Sequence, residues 1–123
     1  MTALQWKRKL IQQCKAVDTY QASFSGAIST LSSLLERRDE AYAQFVAEGS
    51  RTLVEKTSDR GAVNYVINPL LKLWQDLNRD ALAYWRDLGL TPAGYKRLNL
   101  EAAQTKSNDG FEKLLGQLMT GDG

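Results

Sequence analysis

The stretch NPLLKLWQDLNRDALAYWRDLGLTPAGYKRL, residues 68–98, holds one long patterned helix, a marked stop and a marked restart. Asn68 can accept from the free amides of a first turn, and Pro69 suits the first helical position, where its missing N–H costs nothing. Leu70, Trp74, Leu77, Ala81, Tyr84, Trp85 and Leu88 then recur at steps of mostly three and four, flanked by Lys72, Gln75, Asp76, Arg79, Asp80 and Arg86. One face is therefore buried and the other wet. Gly89 follows the last apolar position, where a left-handed residue closes a helix with least strain, and Thr91-Pro92 repeats the cap-plus-proline start.

Upstream, Thr2 and Gln5 have the spacing of a capping box, so a first helix is expected to begin near Ala3. Trp6, Leu10, Cys14 and Val17 fall on one side of it, and Arg8, Gln12 and Lys15 on another. Asp18-Thr19 breaks the pattern. A second long helix is expected from about Ser23 to Glu48, ended by Gly49, with Phe24, Ile28, Leu31, Leu35, Arg38, Tyr42 and Phe45 forming a four-three heptad seam. Such a seam needs a partner helix, and residues 68–89 carry a matching stripe, so the two are expected to pair antiparallel. Arg38 on that seam reads either as a snorkelling side chain or as a charge aimed at a subunit contact or a polyanion.

Between these helices, residues 52–57 and 62–67 are rich in Val, Thr, Tyr and Ile, and Ser58-Asp59-Arg60-Gly61 has turn chemistry, which predicts a short β-hairpin. A lone hairpin is marginal in water, so it should lie on the helices or pair with a neighbouring subunit. If it projects instead, Arg51, Lys56 and Arg60 are on display. Residues 99–110 have few apolar side chains and read as a linker. Residues 111–123 read as a short helix with an apolar face of Phe111, Leu114, Leu115 and Leu118, too short to stand alone, which must dock either on its own body or in a partner's groove. The fold class expected is mainly α: an antiparallel long-helix core, a short hairpin and a C-terminal amphipathic helix. Residues 1–98 would form the helical body.

Composition narrows the function by exclusion. The chain has no histidine, the commonest general base near neutral pH and the commonest metal ligand, so the usual triads, Cys-His dyads and zinc sites are missing. No Gly-rich phosphate loop is present, and Asp and Glu stand beside Lys or Arg as solvated faces or caps. An enzyme is not expected, and neither is a cofactor or a metal. The single Cys14 permits no internal disulfide. No run approaches the ~20 apolar residues of a membrane span, and no signal-peptide core opens the chain, so the expected location is the cytoplasm, without membrane contact.

Charge is modest, +2 overall, but unevenly placed: residues 1–15 carry Lys7, Arg8, Lys9 and Lys15 and no acid. That basic amphipathic helix has three readings, a phosphate-contacting element, a membrane-surface helix or a solvated face. With Lys96 and Arg97 after the Gly89-Leu90 turn, a helix-turn-helix regulator using Thr91 to Leu98 is a further alternative, although a helix expected to run only from Pro92 to Leu98, and weakened by Gly94, offers a groove few turns.

Taken together, Asn68-Pro69-Leu70-Leu71-Lys72, the Leu-Asn-Arg-Asp-Ala-Leu of residues 77–82, Tyr84 and Leu88-Gly89-Leu90-Thr91-Pro92-Ala93 resemble the small terminase subunit of tailed double-stranded-DNA phages, with support from Trp6-Lys7, Tyr20 and Arg38-Asp39. The resemblance implies a non-catalytic packaging factor in the host cell cytoplasm. Such a factor forms a homo-oligomeric ring, binds double-stranded DNA at the packaging start and hands it to the large terminase subunit, which holds the ATPase and nuclease. It fixes no DNA contacts residue by residue. Those are inferred from charge: Lys7, Arg8, Lys9 and Lys15 first, with Arg37 and Arg38 next. The stripe Leu70, Trp74, Leu77, Tyr84, Trp85 and Leu88 is expected to serve core and oligomer, and Phe111, Leu114, Leu115 and Leu118 the large subunit. The remaining rival is a structural adaptor with no DNA role.

Overall fold

A computed structural model describes residues 1–120 of the chain. Four helices and one hairpin follow in the order α1 (Ala3–Ala16), a 3-10 turn (Ala22–Phe24), α2 (Ser25–Ala47), β1 (Leu53–Thr57), β2 (Val63–Ile67), α3 (Pro69–Asp87) and α4 (Pro92–Thr120). The mainly α architecture is the one expected.

The helix boundaries have local chemical causes. Thr2 and Gln5 form the full capping box that opens α1, and the Asn68 side chain accepts from the Leu70 amide at 3.0 Å to open α3, with Pro69 behind it. Each of α1, α2 and α3 ends the same way. A residue of positive φ (Asp18 at 59°, Gly49 at 102°, Gly89 at 74°) lets its own amide and the next turn back onto the last carbonyls, as when Gly89 donates to Arg86 and Leu90 to Trp85.

α2 is the spine of the bundle. The start of α1 lies beside residues 36–39 of α2, where the Ala3 amide meets Glu36 and Trp6 meets Asp39. α3 runs back along α2, since Tyr42 meets Trp74 while Arg38, one turn earlier, meets Asn78, one turn later. The expected antiparallel pairing is thus present. The core between the helices is Leu10, Cys14, Ile28, Leu31, Leu35, Ala81 and Leu88, closed at one end by Trp6. Of the heptad seam, Ile28, Leu31, Leu35 and Phe45 are buried, whereas Tyr42 is exposed and stacks obliquely on Trp74.

The hairpin pairs Leu53 with Ile67 through Thr57 with Val63. Asn68 anchors its base, donating through its backbone to Thr52 and through its side chain to Arg51. Val54 and Val66 are half-buried, and the remaining strand residues are exposed. The hairpin therefore projects, which puts Arg51, Lys56 and Arg60 in solvent.

One expectation fails in α4. Residues 99–110 are helix, continuous from Pro92, rather than a loop-like linker, and the helix after Thr91 is far longer than one ending at Leu98. Low apolar content misleads here: Glu101, Ala102, Ala103 and Gln104 are good helix formers, and the poorer Thr105 is accommodated with its hydroxyl on the Glu101 carbonyl at 3.0 Å. The expected unit at 111–123 is accordingly the distal part of that helix, and its residues 121–123 lie outside the described residues.

Candidate nucleic-acid interface

α1 presents its charges on the side it does not bury. Trp6, Leu10 and Cys14 face the core, which turns Arg8 and Lys15 outward into solvent, with Lys9 exposed at one flank and Lys7 half-buried at the other. Two of the cations rest on aromatic rings: the Lys9 ammonium is 5.1 Å from the Trp6 ring and the Lys15 ammonium 5.1 Å from the Tyr20 ring. Such contacts hold a lysine stem in place while its head stays available to an anion. Burial pushes the Cys14 thiol up, so this residue acts as a small apolar side chain.

Arg38 is placed differently from the α1 set. Its side chain is only 18% exposed, and its guanidinium lies 5.4 Å from the Trp6 ring and 5.8 Å from the Trp85 ring. Nη1 donates to Asn78 Oδ1 at 3.2 Å, while Nε and Nη2 both donate to Asp39 Oδ1. Asp39 in turn accepts from the Trp6 indole at 2.7 Å and pairs with the amino group of Met1. Burial raises the Asp39 carboxyl, but the hydrogen bonds from Trp6 and Arg38 and the charges of Arg38 and the N-terminus outweigh it and hold the carboxyl below its usual value. Arg38 thus ties α1, α2 and α3 together. The residue expected as a snorkelling side chain, or as a charge aimed at a subunit contact or a polyanion, therefore carries an internal tie between helices.

Arg37 is exposed, but it stands over the groove between α2 and α3, among Glu40, Leu77 and Asp80, and so does not extend the α1 patch. The α3 stripe is split. Ala81 and Leu88 are buried and Tyr84 and Trp85 pack on the core, while Leu70 and Leu77 line that groove and Trp74 meets Tyr42 on the surface. In α4, Leu98 lies with Asp18, Thr19 and Phe24 around a shallow recess, and beyond it Phe111, Leu114, Leu115 and Leu118 are all exposed. Arg97, one of the two cations of the helix-turn-helix alternative, is paired with Asp87 at 3.4 Å and with Glu101 at 4.0 Å.

A family model described as phage terminase, small subunit, matches residues 3–105, most of the chain. The chain belongs to the phage terminase small-subunit family. No curated protein and no solved structure matches it. The match spans the whole bundle, from the first residue of α1 through the hairpin into the first half of α4, so the terminase small-subunit pattern covers the elements that position the α1 cations. The distal apolar face of α4 lies beyond it. No helix among the described residues is long and apolar enough to cross a membrane.

Sequence reasoning found the α1 cations because they are contiguous. It missed the Trp6–Asp39–Arg38–Asn78 network, whose members are separated by up to 72 positions in the chain. The available signal was a charged pair, Arg38-Asp39, on an otherwise apolar seam.

Proposed function

We propose that this terminase small subunit assembles into a ring that grips double-stranded DNA at the packaging start through α1 and passes it to the large subunit, contributing no catalysis itself. The observation that carries the reading is the acid-free α1, whose Arg8, Lys9 and Lys15 are exposed on a helix locked to the bundle by Trp6 and Arg38. Lys7 is a half-buried flanking contact, and Arg38 is withdrawn from the DNA set. A patch this small binds weakly alone. Repeated around a ring, it offers many phosphate contacts at once and becomes useful avidity. The partly uncovered α3 stripe at Leu70, Trp74 and Leu77 supports association between copies. The exposed Phe111, Leu114, Leu115 and Leu118 of α4 suit a groove on the large subunit.

Light scattering after size exclusion, together with DNA retention across salt concentrations, tests this. The expected results are a mass well above a dimer and, for Arg8→Glu with Lys9→Glu and Lys15→Glu, at least a tenfold loss of DNA retention at unchanged mass. A dimer that loses binding with Lys96→Ala and Arg97→Ala instead would identify a helix-turn-helix regulator. Undiminished retention in the triple variant would move the DNA contact off α1, and an unmodified chain that retains no DNA at any salt concentration would leave a structural adaptor. For the α4 contact, Leu114→Asp with Leu118→Asp should abolish co-purification with the large subunit and leave the mass of the small-subunit assembly unchanged.

A further inference from the structure

The hairpin has two unprotected edges, and its hydrogen-bond pattern says what fits them. Ser58 donates to the Ala62 carbonyl and Asn68 to the Thr52 carbonyl, both at 2.8 Å, so in this register the even-numbered residues turn their backbone groups inward between the strands. In an antiparallel ladder the alternate residues then direct theirs outward. These are Leu53, Glu55 and Thr57 on β1 and Val63, Tyr65 and Ile67 on β2. The sheet has only these two strands, so neither outer row has a strand partner among the described residues.

The same six residues share one face, and it is an apolar one left in water. Leu53, Val63 and Ile67 are each more than half exposed and Tyr65 is 67% exposed, with its hydroxyl on Glu55 at 3.3 Å. Natural sheets guard an open edge with proline, bulges or lysines pointing along it. Here the strands contain no proline, the pairing has no bulge, and Lys56 sits on the opposite face.

We infer that the β1 edge of one copy pairs with the β2 edge of the next, so that hairpins join head to tail around the assembly. This rests on the ring reading above and specifies how the ring closes. The occupant is a second copy because the chain already shows this pairing: β1 and β2 are equal in length and complementary antiparallel in the register Leu53–Ile67, Glu55–Tyr65, Thr57–Val63. Repeated between copies, that register makes these three pairs the hydrogen-bonded ones, with up to six backbone bonds per junction. It keeps Leu53, Val63, Tyr65 and Ile67 of every copy on one continuous face. Pairing β1 with β1 in register would instead oppose Glu55 to Glu55. A β1-to-β2 contact is heterologous, each copy giving one edge and accepting another, and such contacts close into rings when the rotation between copies divides the circle, rather than forming two-fold dimers.

The outward amides make a selective test available. Tyr65→Pro removes an N–H that the hairpin does not use for its own ladder, so the hairpin persists while the edge is blocked. The expected result is collapse of the assembly to monomers with unchanged helical circular dichroism, while Lys56→Thr on the other face keeps the full mass. In the proposed junction Lys56 and Asn64 of adjacent copies fall at a non-hydrogen-bonded site, where Cα atoms approach to about 4.5 Å, within disulfide reach. Single variants Lys56→Cys and Asn64→Cys, differently tagged and co-expressed, should therefore form a mixed disulfide on oxidation. An oligomer that keeps its mass with Tyr65→Pro and yields no mixed disulfide overturns this pairing alone. A monomeric unmodified chain overturns it together with the ring reading.

Discussion

Arg38 explains why a charge interrupts an apolar seam: the seam at that point faces two indole rings and a carboxylate rather than leucines. Its planar, delocalised cation can lie between rings and still fork two donors onto Asp39, which a lysine ammonium cannot reproduce. Arg38→Ala should therefore destabilise the bundle by about 1.5–3 kcal/mol, the range for losing hydrogen bonds to a charged group in a part-buried pair, and Arg38→Lys should recover less than half of it. Urea unfolding midpoints measure both. Asp39 adds a pH dependence of definite sign. Its carboxyl is held below the ordinary value of about 3.9, so the stability it gives is fully present above that value and is lost as pH falls through the lower folded-state value. The stability gap between the unmodified chain and Asp39→Asn should stay constant from about pH 5 to about pH 7 and narrow on acidification below about pH 4. A gap that instead widened in acid would mean that the neutral carboxyl is the form the fold prefers.

Helix punctuation was the most legible part of the chain, because a cap is settled by residues one to three positions apart. Thr2 with Gln5, Asn68-Pro69, Gly49 and Gly89 all mark the boundaries that the structure has. The hairpin was legible for the same reason, through the β-branched runs either side of Ser58–Gly61. What composition obscured was α4. A run poor in apolar residues reads as a linker only if nothing else favours helix, and residues 101–104 do favour it. Gly94 was also read through propensity alone, as a weak point in a helix. The structure gives it a role: a Cβ there would collide with the Arg86 carbonyl, so α4 crosses the end of α3 at a distance only glycine allows. Two glycines of one helix should consequently respond with opposite signs. Gly110 has nothing within 4 Å of a Cβ position, so Gly110→Ala should stabilise by up to about 1 kcal/mol through helix propensity. Gly94→Ala gains the same propensity but must displace α4, and should destabilise by about 1–3 kcal/mol net. Thermal melts followed at helical wavelengths compare the two, and a stabilising Gly94→Ala would show that the crossing of α3 and α4 is loose.

A single chain of this kind has too few exposed cations to identify it as a DNA-binding protein, so charge alone leaves three readings of α1 open, and the proposal rests on the family as well as on charge. Assembly into the proposed ring would change what those cations can do, and salt dependence measures the change. The slope of log affinity against log salt is about −0.9 for each phosphate neutralised. In a monomeric binder, replacing Lys15 by alanine removes at most one contact and shifts the slope by no more than about 0.9. In a ring that surrounds or bends a duplex, the same substitution removes one contact from every copy that touches DNA. A shift of several times that size is expected from Lys15→Ala or Arg8→Ala, measured by DNA retention over a salt series at fixed ring mass. Arg37→Ala, in the groove between α2 and α3 beside Glu40 and Asp80, should leave the slope unchanged. The two slopes together separate avidity from a generally weakened positive charge, because both substitutions lower the net charge of the chain equally and only one removes a cation from α1. Equal slope changes for Lys15→Ala and Arg37→Ala would mean that overall charge, rather than a repeated helix face, is what the polyanion meets.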